Sequence, residues 1–361
     1  MREAGSSSSS SPSSAYAQRL AAYSSVSTSL ALHSDRDLAA LIDAAPPLDS
    51  GIGGTAALLD VGGTRVFVKR VPLTDLELRP ENLRSTANLF DLPLYCHYGI
   101  AGGPGWGAWR ELAVQVMTTN WVLAREFEGF ALMYHWRVLP HPGQSLPEEI
   151  ADVDKVVEFW GGAPGVRNRL EAMRDAPASL ALFLEYFPHN LHDWFGEEVK
   201  AGDEAVTQAC AMVAREVPAG TSFMNARGLL HFDAHFQNLL TDGRHLYFAD
   251  YGLAISSRFD LDPREAEFFA ANQVYDRAYS LTHLTIWLAT ALYGFQSEER
   301  ATFLRACAAG TRPTGIPPLA ADLIMRHAAT AVLMTDFYRT MARESRLTPF
   351  PLQAVTAALE G

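Results

Sequence analysis

The sequence predicts an α+β protein of two lobes, the first rich in strands and the second almost wholly helical. Three observations predict it. Short runs of alternating β-branched and aromatic residues, such as "TRVFVKRV" and "SLALFLEY", fall between about 50 and 185. From 186 onward, and above all from 263 to 361, apolar residues recur at helical spacing. No internal repeat divides the 361 residues, a length that suits one large domain or two lobes.

The elements follow in order. The serine-rich start, residues 1–18, is expected to be disordered, because it offers little apolar surface to bury. The first lobe then covers 19–185 and the second 186–361. Residues 19–45 are helical in part, with Ser34 as a cap. "GIGG" at 51–54 leads into an apolar run, a Gly62-Gly63 turn and "TRVFVKRV", which together make a glycine loop and a β-hairpin. A helix is expected over 74–90 after Thr74, and a flexible break at "GIAGGPGWG". An amphipathic helix follows over 108–127, then a strand over 129–139 and charged helical segments over 147–175. "SLALFLEYFPHNLHDWF" runs from a buried strand into a helix capped near Asn190. Residues 203–228 are a long helix or a helix pair. "NLLTDGRHLYFADYG" is a hairpin turning at Asp242-Gly243.

Composition narrows the function. No apolar stretch is long enough to span a membrane, and the N-terminus has no apolar core of a secretory signal. Cys96, Cys210 and Cys307 are scattered and form no CxxC pair, which argues against a disulfide framework or a cysteine zinc site and fits a reducing cytoplasm. A net charge of −12 disfavours nucleic acid or an anionic membrane as partner. Only three of the 29 basic residues are lysine, namely Lys69, Lys155 and Lys200, so a lysine retained in so arginine-rich a chain is a candidate for a role arginine cannot fill.

Chemistry concentrates in "HFDAHFQN", residues 231–238. As a metal site, His231 and His235 would share a helix face and hold zinc with Asp233 or a distant carboxylate. Gly228 and the Asp-Gly turn argue against a helix there, and no third ligand stands at a zinc-like spacing. As a phosphoryl-transfer site, Asp233 would orient or deprotonate a hydroxyl. Asn238 would hold magnesium, and Asp250 in "ADYG" would bridge magnesium to phosphates. Upstream, Gly51, Gly53 and Gly54 let backbone amides approach a phosphate chain. Lys69 shares a strand face with Phe67 and needs a carboxylate partner. Glu111 on the 108–127 helix is the choice, with Glu77 and Glu81 as competitors.

This array, taken in order, resembles the protein-kinase-like phosphotransferase superfamily over roughly residues 48–290. The resemblance implies a bilobal protein-kinase-like fold with ATP and Mg2+ in the cleft. Gly51, Gly53 and Gly54 would cover the triphosphate, and Lys69, positioned by Glu111, would hold phosphates. A linker at Glu185–Phe187 would contact adenine through its backbone. Asp233 would be the catalytic base, with Asn238 and Asp250 as metal ligands. Phe232 stands where regulated protein kinases carry an arginine, and His235 where they carry a lysine. No Ala-Pro-Glu follows "ADYG", the chain passing quickly to "DPREAEFF". These departures look like the aminoglycoside and choline kinase type. The expected acceptor is therefore a hydroxyl of a small molecule, such as an antibiotic or other natural product. A serine or threonine of a protein or precursor peptide is the alternative, and a pseudokinase binding module is the non-enzymatic one. His231 is expected to brace the loop.

Overall fold

The structure, a computed structural model, describes residues 12–48, 55–100, 102–140 and 146–360. It is α+β. Helix α1 spans Pro12–Ala31 and α2 Asp35–Ala44; β1 is Pro47–Leu48, β2 Thr55–Val61 and β3 Thr64–Leu73. A single helical turn, α3 (Asp75–Leu78), precedes α4 (Ala108–Leu123), β4 (Met133–Pro140), α5 (Glu148–Ala151), α6 (Val153–Phe159), α7 (Pro164–Arg174) and β5 (Ala178–Glu185). The remainder comprises β6 (His189–Asn190), α8 (Leu191–Ala201), α9 (Asp203–Ala226), β7 (Leu229–Leu230), β8 (Leu239–Thr241), β9 (Leu246–Phe248) and β10 (Ile255–Ser256). Helices α10 (Pro263–Ala271), α11 (Tyr275–Tyr293), α12 (Ser297–Ala308), α13 (Pro318–Arg343) and α14 (Leu352–Glu360) complete it.

The disorder expected for 1–18 is corrected over 12–18, which form the first turns of α1. Pro12 suits the first helical position. Buried Tyr16, Val26 and Leu30, with Leu20 and Tyr23 beside them, then form one apolar face. The serine run hides the start of that face. Residues 1–11 lie outside the described residues.

The main sheet has the order β1-β2-β3-β5-β4 and is antiparallel throughout. Gly62 and Gly63 turn the β2–β3 hairpin with φ of 61° and 84°, values that a side chain would strain. Alternation divides the central strand β3 between two cores. Val66 and Val68 join Leu38 and Ile42 of α2 on one face. Val71 and Leu73, with Phe67, join Ala108, Trp109 and Leu112 of α4 on the other. Lys69 belongs to the second face and is directed toward α4.

The helix expected over 74–90 shrinks to one turn, because Pro80 lacks an amide and restricts the residue before it. The Thr74–Glu77 capping box forms as the residue types allow. In the second half, α9 is one helix despite Pro218 inside it. Gly220 lets α9 lie against Phe248, since an added Cβ would come within 2.1 Å of that ring. Helix α9 also packs against β7 and β9, the strands that flank the loop 231–238 and the turn after it. Cys96, Cys210 and Cys307 are buried free thiols. Among the described residues, no helix is long and apolar enough to cross a membrane.

Candidate active site

Three parts of the chain converge on one ammonium. Lys69 Nζ of β3 lies 2.8 Å from Glu111 Oε1 of α4 and 2.9 Å from Asp250 Oδ1, in the turn after β9. Lys69 and Glu111 are almost fully buried, whereas Asp250 keeps 38% of its side chain exposed. Burial alone would lower the Lys69 pKa; Asp250 and Glu111 outweigh it and raise it. Burial likewise pushes against ionised Asp250, and Lys69 overcomes it and holds that carboxyl below its ordinary value. Glu111 differs: burial raises its pKa more than Lys69 lowers it. Asp250 has φ of 61°, a left-handed conformation that aspartate tolerates better than most residues. Its Oδ1 also accepts from Gly252 N.

The competitors for Lys69 are placed elsewhere. Glu81 is exposed. Glu77 is buried and paired with Arg169 of α7 at 2.8 Å. Its other oxygen accepts from Ala108 N at 3.0 Å, so it caps α4, where Gly107 offers no side chain to do so. Burial would raise its pKa; Arg169, with help from Thr74, outweighs this and lowers it. Glu77 thus fixes the start of the helix that carries Glu111.

The loop 231–238 is not helical, so the two histidines do not form the i,i+4 pair that the zinc reading required. His231 is fully buried, with Nε2 at 3.1 Å from Ala249 O and Nδ1 accepting from Asp233 N. Both ring nitrogens are occupied, and burial lowers its pKa to about 4. It braces the loop as expected. Phe232 is buried against Tyr275 and Phe268 and has φ of 64°. Such a conformation in a bulky residue costs about 1–3 kcal/mol. Asp276 at the start of α11 holds it in place, accepting from His231 N at 2.6 Å and Phe232 N at 2.8 Å.

That anchoring leaves Asp233 at the loop surface with a quarter of its side chain exposed. Asn238 Nδ2 donates to Asp233 Oδ2 and to its backbone oxygen, both at 2.9 Å. Tyr279 OH donates to Oδ1 at 3.4 Å, and His235 Nε2 stands 3.6 Å from the same oxygen. Burial, then the nearby Asp250 charge, raises the Asp233 pKa to about 8. Burial lowers that of His235.

Two side-chain oxygens near Asp233 are free to face a magnesium ion. Asn238 spends its amide nitrogen on Asp233, which leaves Oδ1 without a hydrogen bond among the described residues. Asp250 receives both its hydrogen bonds on Oδ1, which leaves Oδ2 likewise. Two neutral-to-anionic oxygens of this kind fit a hard cation. Among the described residues, no group of three or more His, Cys, Asp or Glu is arranged to hold a metal.

Glu185 is the last residue of β5. Its carboxylate turns toward α1, accepting from Arg19 Nε at 2.8 Å, from Arg19 Nη2 at 2.7 Å and from Leu132 N at 3.1 Å. Arg19 also bonds Phe130 O and lies over the Tyr247 ring. Gly51, Gly53 and Gly54 lie outside the described residues.

Sequence reasoning therefore missed Asp276, Tyr279, Arg19 and the Glu77–Arg169 cap. Only Asp276 left a trace, as an acidic residue in the first turn of an apolar helix. Compared with known proteins, the chain matches no protein-family model and none of the curated proteins searched.

Proposed function

We propose that the chain is an ATP- and magnesium-dependent kinase of bilobal, protein-kinase-like architecture, and that its acceptor is a hydroxyl of a small molecule. The observation that carries the reading is the meeting of Lys69, Glu111 and Asp250 beside the Asp233–Asn238 pair. A buried lysine between two carboxylates gives little stability over an apolar core, so its presence needs a reason other than folding.

Each side chain then has a task. Lys69 binds phosphate oxygens, and Glu111 fixes where its ammonium points. Magnesium, when bound, neutralises phosphate charge, and Asn238 and Asp250 are the residues to hold it. Asp233 receives a hydrogen bond from the acceptor hydroxyl and aims its oxygen at the γ-phosphorus. As the new O–P bond forms and the bond to the leaving phosphate oxygen breaks, the hydroxyl proton passes to Asp233. Asp233 acts in its ionised form; burial and Asp250 push its pKa up to about 8, so the carboxylate is a stronger base than an ordinary one and its ionised share grows as pH rises through that value.

Two features favour a small acceptor over a peptide. Phe232 is packed in the core and offers no cation to a phosphorylated loop. The segment after Gly252 folds back at once, with β10 pairing β7 through Ile255 and Leu230, and reaches α10 directly.

The test is magnesium-dependent transfer of labelled phosphate from ATP across a panel of hydroxylated acceptors, alongside thermal stabilisation by ATP. Transfer and stabilisation should both require magnesium, and both should vanish in Asp250→Ala. A variant that keeps both sinks the reading.

A further inference from the structure

The left-handed backbone of Asp250 keeps its place only if the chain around it is fixed. Two carbonyl oxygens just beyond it, those of Gly252 and Leu253, are both bonded by the segment between α3 and α4. Trp106 N donates to Gly252 O at 3.1 Å. His97 Nδ1 lies 2.7 Å from Leu253 O. Gly99 lets that segment come close: at its φ of 64°, an added Cβ would stand 2.6 Å from Leu253 Cδ1.

A carbonyl oxygen accepts and never donates, so His97 carries its proton on Nδ1. The side chain is fully buried, and burial, then the Arg110 charge, hold its pKa well below the ordinary histidine value. The ring is therefore neutral, and Nε2 is a bare acceptor without a hydrogen-bond partner among the described residues. A buried unpaired acceptor costs stability that a phenyl ring in the same place would not. What the imidazole adds over a phenyl ring is the Nδ1–H.

The same ring touches the rest of the candidate site. It stacks on Trp106, with 3.7 Å between centroids and 8° between planes, and Gly107 beyond Trp106 is the N-cap of α4. Its centroid lies 5.1 Å from that of Phe232, the residue before Asp233. The segment is itself anchored: Leu94–Tyr98 form a short helical turn, and Tyr98 OH donates to Asn272 Oδ1 at 3.0 Å.

Building on the kinase reading, we propose that His97 is a positioning residue for the metal: its Nδ1–H, together with the Trp106 amide, fixes the turn that presents the Asp250 carboxylate. Without that donor the turn, and Asp250 with it, is free to leave the geometry that magnesium needs.

Two substitutions separate the hydrogen bond from the packing. His97→Phe keeps a ring against Trp106 and removes the donor. His97→Asn removes the ring and keeps a donor, because the asparagine amide nitrogen takes the place of Nδ1. By packing alone His97→Asn is the more damaging change, and the thermal midpoint in EDTA should fall further for it. The magnesium concentration that gives half-maximal thermal stabilisation by a non-hydrolysable ATP analogue should order the two the other way. It should rise about tenfold in His97→Phe, the order of one lost hydrogen bond, and stay near the unaltered value in His97→Asn. At saturating magnesium the stabilisation should be the same in all three proteins. A magnesium requirement unmoved in His97→Phe, or one that follows the loss of midpoint so that His97→Asn is the worse, overturns the inference. So does a nitrogen NMR spectrum of the unaltered chain that places the imidazole proton on Nε2, a readout that needs neither metal nor nucleotide. Normal magnesium-dependent stabilisation of the unaltered chain alongside either result refutes the role of His97 alone. Its absence refutes the kinase reading, and the positioning role with it.

Discussion

Asp233 sits close to Asp250 in surroundings that resist a second negative charge, and its pKa of about 8 reflects both burial and that neighbour. The linkage has a definite sign. A carboxyl protonated more readily in the folded chain than in the unfolded one adds stability at low pH. That stability is lost as pH rises from the unfolded value near 4 through about 8. Asp233→Asn should therefore raise the thermal midpoint more at pH 8.5 than at pH 5, while lowering phosphoryl transfer by about 10²–10⁴-fold. A midpoint that changes equally at both pH values, measured by calorimetry, contradicts the raised pKa. Lys69 makes the complementary case. Lys69→Met leaves Glu111 buried beside Asp250 without its counter-charge and should cost about 3–5 kcal/mol in urea unfolding. Adding Glu111→Gln should recover a good part of that stability and none of the activity. Recovery of activity in the double variant would show that the ammonium is not needed.

At the scale of elements, α4 and α1 hold the site from behind. Helix α4 is capped by Glu77, which is itself held by Arg169, and is tied to α10 by the buried Arg110–Glu265 pair at 2.5 Å. Glu77→Gln leaves Arg169 without a counter-charge and should cost about 3–5 kcal/mol. It should also lower transfer by loosening the helix that presents Glu111; unchanged stability would show that the cap carries no weight. Helix α1 joins two places. Tyr16 OH bonds Val122 O and Leu123 O at the end of α4, and Arg19 grips Glu185 at the end of β5. If the backbone after Glu185 contacts the nucleotide base, Arg19→Ala should raise the KM for ATP several-fold with kcat little changed. The exchanged pair Arg19→Glu with Glu185→Arg should restore it in part. A fall in kcat alone would place Arg19 outside nucleotide binding.

On the scale of the whole molecule, the sheet and the helical half contribute different parts of one constellation. Lys69 comes from the sheet and Glu111 from the helix against it, while Asp233, Asn238 and Asp250 ride on loops over the helices. A ligand that touches both sets stabilises the fold by mass action, about 2.7 kcal/mol at a hundredfold excess over its Kd. ATP with magnesium should raise the midpoint of the whole transition, and ATP with EDTA should not. Two separate transitions, only one of them shifted, would show that the nucleotide engages one half alone.

Much of this was legible in the residues. Alternation marked β3 and directed Lys69 and Phe67 to one face; Ser34 and Asn190 read as caps and serve as caps. The hairpin turning at Asp242-Gly243 formed where its turn residues called for it. His231 braces the loop, and Glu111 rather than Glu77 is the helix carboxylate that meets Lys69, as the residues suggested. Local propensity and short-range spacing decide such features, and a sequence displays them directly. The start of α1 was obscured because serines outnumber the few residues that define its buried face. What only the tertiary structure decided is long-range. Asp276 is more than forty residues from the loop it anchors, Arg19 more than a hundred and sixty from Glu185, and Arg169 more than ninety from Glu77. A buried charge must meet its partner to be tolerated, but nothing local to either residue says where in the chain that partner stands. The sequence thus determined which side chains could do the chemistry, and packing decided which of them meet and which hold the others in place.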